Sequence, residues 1–217
     1  VEFNNPDGTP VHAIGSGVVV YAGPAEAGAL TVAIRHDSVL KVDGTKYLYS
    51  VYYHNSALKV SLGQRVAPGD IISEVGNTGR ATNDHLHLEV HASPVADVQL
   101  IVDSLQRYPE YTTNPELWIQ PLPGTGIVAG QVLDDDGNPV AQARIYGIIK
   151  PEPAETPYSF AETYGPKNHP HPLYGENFAV SDVLPGTYLV GTEINGRKVF
   201  RTVTVEEGKL TWVVFRP

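Results

Sequence analysis

Between Val11 and about Val90 the apolar residues fall into short β-type runs broken by Gly and Asn, and almost nothing recurs at the 3.6-residue spacing of a helix. The runs predict strands over 17–21, 30–34, 47–53, 70–75 and 85–91. Only 96–107 has helical spacing, with Val98, Ile101, Val102 and Leu105 on one stripe, and it reads as a peripheral cover. From Tyr108 to Gly126 the pattern dissolves into Pro, Thr and Gly, the composition of an irregular boundary, and a domain border is expected near 121–124. Beyond it come runs at 126–133, 143–149, 178–183, 186–193, 198–205 and 210–215, the spacing of a small β-sandwich. The expected architecture is mainly β: an antiparallel sheet domain over 1–121 and a β-sandwich domain over 124–217.

Strand alternation along Asp84-His85-Leu86-His87-Leu88-Glu89-Val90 sends Leu86, Leu88 and Val90 into a core and leaves His85, His87 and Glu89 on the opposite face. Two imidazoles then stand side by side. Packing gives no reason for such a face, and His is the commonest metal ligand. The competing reading is a solvated strand face, because a bare His-x-His also arises by chance. A third candidate, His54, ends the Tyr-rich run 47–53; alone it reads as a strand-end residue.

Composition narrows the chemistry. The 217 residues carry a formal charge of -9, and no Lys/Arg cluster exists to displace counterions from phosphates, which argues against a nucleic-acid partner. Cysteine is absent, so a metal must be held by His and carboxylates. No apolar run approaches the ~20 residues of a membrane span, and no signal-like segment opens the chain. The start at Val1-Glu2-Phe3, without Met, is read as that of a piece of a longer protein, with any targeting segment upstream.

The remaining histidines read as structural or exposed. His12 follows a strand-entry Val; His36 lies in a turn-like Arg35-His36-Asp37 and is the better placed of the two to line a groove. His91 shares the face of His87, which allows a supporting role, but a solvent-facing position is expected. The second His-x-His, His169-Pro170-His171, has proline within and after it, which excludes a regular paired strand and predicts an exposed loop. Asp134-Asp135-Asp136-Gly137 lacks the downstream Glu of a calcium loop and reads as a hairpin turn.

Taken in order, these pieces resemble the lysostaphin-type zinc endopeptidases, the metallopeptidase family that cleaves peptide bridges in bacterial cell walls. The resemblance runs through Gly8-Thr9-Pro10-Val11, Gly17-Val18-Val19, Ile34-Arg35-His36, the Tyr-x-x-His-type ending at His54, and Gly63-Gln64-Arg65-Val66-Ala67-Pro68-Gly69-Asp70. It continues through Val75-Gly76-Asn77-Thr78-Gly79 and the His85–His87 pair to Asn114-Pro115-Glu116-Leu117-Trp118. It implies an open substrate groove on the sheet domain and one zinc ion per chain, held by a His, an acidic residue four positions later and the second His of the pair. Carried over, the acidic ligand is Glu2 and the last ligand His87, while the first ligand falls three residues before Val1, outside this chain. His54 and His85 become the histidines that act beside the metal. Glu2 stands where the family usually has Asp, Asn83-Asp84 where it has small residues, and Asn55 where an apolar residue commonly follows the catalytic His.

The implied function is hydrolysis of peptide bonds in peptidoglycan cross-links or stem peptides, or in another peptide substrate, by a secreted or cell-surface bacterial enzyme. The alternative is a catalytically degenerate module that binds or regulates the cell wall. The second half resembles the carboxypeptidase regulatory-like, transthyretin-type sandwich through Gly130-Gln131-Val132-Leu133-Asp134 and Leu184-Pro185-Gly186-Thr187-Tyr188. No nucleophile, base and orienting group assemble there, so it reads as a spacer or wall-binding accessory.

Overall fold

In the computed structural model the described residues are 1–38, 44–102, 111–150 and 160–217, and the chain forms two compact units, Val1–Pro115 and Glu116–Pro217. Among the described residues the regular elements of both are strands, apart from three short 3-10 turns in and after the first.

The first unit contains β1 (Glu2–Phe3), β2 (Pro10–His12), β3 (Gly17–Pro24), β4 (Leu30–His36), β5 (Tyr47–Asn55), β6 (Ala57–Leu58), β7 (Arg65–Val66), β8 (Ile71–Glu74), β9 (Leu86–Ser93) and β10 (Thr112–Thr113). Its main antiparallel sheet runs β1-β9-β5-β4-β3-β7, with β10 also on β9, and a small sheet runs β2-β8-β6. Val32, Ala33 and Ile34 of β4 are all fully buried, so the central strand is covered on both faces and its continuous apolar run has a physical cause. One cover packs Ile101 and Val102 on Ala33, Tyr49 and Val51.

That cover is not the expected helix over 96–107. Within 96–102 only Val98–Leu100 winds into a 3-10 turn, opened by the Asp97 carboxylate accepting from Gln99 N at 2.9 Å. A single turn already presents Val98, Ile101 and Val102 to the sheet, so three apolar positions do not distinguish it from a longer helix. Leu105 and the rest of the expected helix lie outside the described residues.

The second unit contains β11 (Gly126–Val132), β12 (Arg144–Tyr146), β13 (Phe160–Glu162), β14 (Phe178–Val183), β15 (Gly186–Ile194), β16 (Arg197–Val205) and β17 (Leu210–Phe215). Two sheets, β14-β11-β17 and β13-β12-β15-β16, meet through one core. Val128, Phe178 and Phe215 come from the first sheet and Ile145, Val190, Ile194 and Val203 from the second. Among the described strand pairs only β11 and β17 run parallel. A Cβ at Gly130 would meet Val213 O at 1.7 Å, so this close pairing has no room for a side chain.

The loop before β14 departs from expectation. His169 is exposed, but His171 is 3% exposed, with its ring 4.3 Å from that of Trp118 and 4.6 Å from that of Tyr174. Its backbone N donates to Glu176, whose carboxylate also accepts from Tyr164. The prolines that exclude a strand do not exclude burial. Leu173 N donates to His171 Nδ1 at 3.1 Å, so that nitrogen acts as an acceptor, and burial pushes the imidazole down to about 4.

A buried neutral His of this kind has a folded-state value below its unfolded one. Its stability contribution is whole above about pH 6.5 and is lost as pH falls towards about 4, an effect on the order of 2 kcal/mol. Glu176, raised by burial, acts in the opposite sense. Trp118 and Trp212 are the only tryptophans of the chain and both lie in this unit. Tryptophan fluorescence in urea therefore reads it selectively, and His171→Asn is expected to flatten the midpoint's decline between pH 6.5 and 4.

Candidate metal and catalytic site

The register around β9 assembles the candidate site. Glu2 on β1 pairs directly with His87, and on the other side Tyr53 of β5 pairs with the same residue. Directly opposed residues share a face of a sheet, so Glu2, His87 and Tyr53 project to one side. The Tyr53 and His87 rings lie 5.4 Å apart, edge to face.

Alternation would send the next residue, His54, to the other side. His54 instead has φ 65°, in the left-handed region, which costs a non-glycine residue roughly 1–3 kcal/mol. This twist turns the ring back, to 4.8 Å from the His85 ring and 5.8 Å from that of His87. Three imidazoles thus converge beside the Glu2–His87 pair.

Hydrogen bonds define which nitrogen each ring presents. His54 Nδ1 lies 2.8 Å from Thr78 O, and His85 Nδ1 lies 2.9 Å from Asn83 O. A carbonyl only accepts, so both Nδ1 atoms carry the hydrogen, and Nε2 is the nitrogen each ring leaves for other partners. Burial holds His54 below its ordinary value; the His85 and His87 rings push the same way, against the bond to Thr78 and the charge of Glu2. The ring is accordingly neutral at neutral pH.

His87 is arranged the other way round. Its Nε2 donates to Glu89 Oε1 at 3.1 Å, which frees Nδ1 to bind a metal. The second Glu89 oxygen takes the Nε2 hydrogen of His91 at 3.0 Å. His91 is therefore not solvent-facing but fully buried, because Ile101 and Val102 cover this face of the sheet. Burial alone would raise the Glu89 carboxyl, but the hydrogen bonds it accepts from His87 and His91 hold it well below the usual carboxylate range. The polar face of β9 is thus covered at Glu89 and His91 and stays partly open at His87. Neither of the other two N-terminal histidines joins it. His36 is buried and bonded to Ser50 and Ser16, and His12 is exposed and bonded to Gly69 O.

Among the described residues no group of three or more His, Cys, Asp or Glu is arranged to hold a metal ion. Glu2 and His87 supply two donors, an oxygen and an imidazole nitrogen, of the kinds that zinc takes in open catalytic sites. The Glu89 carboxylate behind His87 is the usual support of such a ligand. The donor chemistry therefore fits, as two members of a three-ligand set. Glu89 could have been recognised as this support from alternation, since it shares the His87 face. Thr78 left no such signal, because its contact with His54 is made through the main chain.

Residues 1–98 match the family model of peptidase family M23. The DD-carboxypeptidase/endopeptidase Mpg of Neisseria meningitidis is 35% identical over 102 residues, which cover 46% of this chain and 22% of that protein. The peptidoglycan DD-endopeptidase ShyA of Vibrio cholerae is 39% identical over 89 residues, covering 41% of this chain and 19% of that protein. The chain thus spans about a fifth of the length of these curated relatives. The catalytic domain of lysostaphin from Staphylococcus simulans, a solved structure, is 28% identical with a TM-score of 0.41, covering 54% of this chain and 74% of that one.

Proposed function

We propose that the first unit is a zinc metalloendopeptidase that hydrolyses peptide bonds of peptidoglycan cross-links or stem peptides. One observation carries the reading: the rings of His54, His85 and His87 converge beside the strand-paired Glu2. In this reading Glu2 and His87 hold one zinc together with a His three positions before Val1. The match of residues 1–98 to the peptidase model supports it, as do two relatives named as endopeptidases, one of them a peptidoglycan DD-endopeptidase.

Zinc, when held, supplies Lewis acidity to the scissile carbonyl and an acidified water. The remaining work falls to this chain's own groups. His54 and His85 commit Nδ1 to main-chain carbonyls and leave Nε2 for proton exchange, so either can take a proton from the attacking water and return it to the leaving amine. Once protonated, the same groups stabilise negative charge on the carbonyl oxygen. Glu89 orients the His87 ring and keeps its Nε2 hydrogen in place.

A degenerate wall-binding module draws support only from Glu2 standing in for Asp. Two imidazoles held with free Nε2 atoms, one of them on a strained backbone, favour the enzyme. The second unit is proposed as a carboxypeptidase regulatory-like sandwich that spaces or anchors the peptidase, and a secreted or cell-surface bacterial location follows from the substrate. Among the described residues no helix is long and apolar enough to cross a membrane.

Metal dependence tests the proposal. A peptidoglycan suspension treated with the chain carrying its natural upstream residues is expected to release new amino groups. A chelator should abolish release and added zinc should restore it. Release that survives complete zinc removal would contradict the reading.

A further inference from the structure

The turn that re-aims His54 is held by a polar clamp whose centre is Asn55. Its side chain is fully buried, and both ends are used. Nδ2 donates to Leu30 O and to Tyr52 O, each at 2.8 Å, and Oδ1 accepts from Ser73 Oγ at 2.7 Å. One amide thus ties β4, β5 and β8 together at the point where β5 kinks. Thr78 Oγ1 donates to the Asn55 carbonyl at 2.8 Å and itself accepts from Leu30 N at 2.9 Å. Thr78 is thereby fixed against two strands, and its own carbonyl receives the His54 Nδ1 hydrogen.

We infer that Asn55 and Thr78 are positioning residues that set the tautomer and aim of His54. The inference rests on the proposed role of His54 as a proton-transfer group. An apolar residue at 55 would leave Leu30 O, Tyr52 O and Ser73 Oγ to find other partners in a buried place, so the amide is matched to its surroundings. The Thr78 hydroxyl is the side-chain tie that holds this residue, and with it the carbonyl opposite Nδ1, against β4 and β5. Without that tie the ring could carry its hydrogen on Nε2, and a base facing the site would become a donor.

Three variants of the full chain with its natural upstream residues separate positioning from folding: Thr78→Val, Thr78→Ser and Asn55→Leu. Long-range proton–nitrogen correlation through the His54 ring reads the tautomer without any need for activity. The wild-type ring is expected to be protonated on Nδ1. Thr78→Val is expected to populate the Nε2-protonated form and to lower kcat about 10- to 100-fold, with KM and zinc content unchanged. Thr78→Ser, which keeps the hydroxyl, is expected to retain the wild-type tautomer and rate. Asn55→Leu should follow Thr78→Val, and should it fail to fold, the Thr78 pair still decides. An Nδ1-protonated His54 in Thr78→Val would overturn the clamp whether or not the chain cleaves wall peptides. Absence of cleavage by the wild type, with the expected tautomer shift in Thr78→Val, would uphold the clamp and count against the peptidase reading alone.

Discussion

His54→Ala is expected to lower kcat by about 10²- to 10⁴-fold, the range for removing a positioned general acid or base, while zinc content stays at the wild-type level. The expectation follows from which nitrogens are occupied. His54 gives Nδ1 to Thr78 O, and its free Nε2 faces the His85 and His87 rings. A proton-transfer group in that place contributes to the barrier and not to metal affinity. His85→Ala should behave alike, since its Nδ1 is committed to Asn83 O in the same way. The double variant should cost less than the product of the single losses if the two rings serve one proton path. Steady-state rates with zinc measured on the same samples check this, and loss of zinc from either single variant would reassign that histidine as a ligand.

His87→Ala is expected to remove both zinc and activity. His87 is the only histidine of the three whose Nε2 is tied to a carboxylate, which leaves Nδ1 for the metal. Glu2 stands opposite it in the strand register, so the two candidate donors are placed by main-chain pairing of β1 with β9. Removing the imidazole also leaves Glu89 with one buried partner in place of two, at a cost of about 1–3 kcal/mol for the unmet acceptor. A lower melting temperature should therefore accompany the lost metal. Glu2→Ala should weaken zinc without that extra penalty, because Glu2 is exposed and is not bonded to Glu89. Elemental analysis with melting curves separates the two variants.

How much of this was readable in the chain depends on whether a residue follows its local rule. The alternation through 85–90 placed Leu86, Leu88 and Val90 in a core and His85, His87 and Glu89 on the other face; Leu88 and Val90 are buried and His87 bonds Glu89, whereas Leu86 is only half-buried and His85 precedes the strand. His54 does not follow the rule. From alternation it belongs on the far side of β5 from Tyr53, and only its positive φ brings it beside His85. Order along the chain, through family resemblance, singled it out before any geometry did. Burial of polar residues was the weakest point. His91 and His171 were both expected to face solvent, yet His91 bonds Glu89 beneath Ile101 and Val102, and His171 lies between Trp118 and Tyr174. His171 is covered in part by Trp118, far away in sequence, and His91 lies under the turn that follows its own strand, and strand alternation carries no information about such covers. The helix over 96–107 failed for the opposite reason: Asp97 closes a tight turn, and the apolar spacing suits a turn as well as a helix.

The most direct test of the account is mass spectrometry of a purified, cross-linked muropeptide incubated with the zinc-loaded chain carrying its natural upstream residues. Scission at a peptide bond, with water added across it, is expected, and no scission by His54→Ala at matched zinc content. An intact muropeptide after incubation with wild-type chain shown to hold one zinc would contradict it.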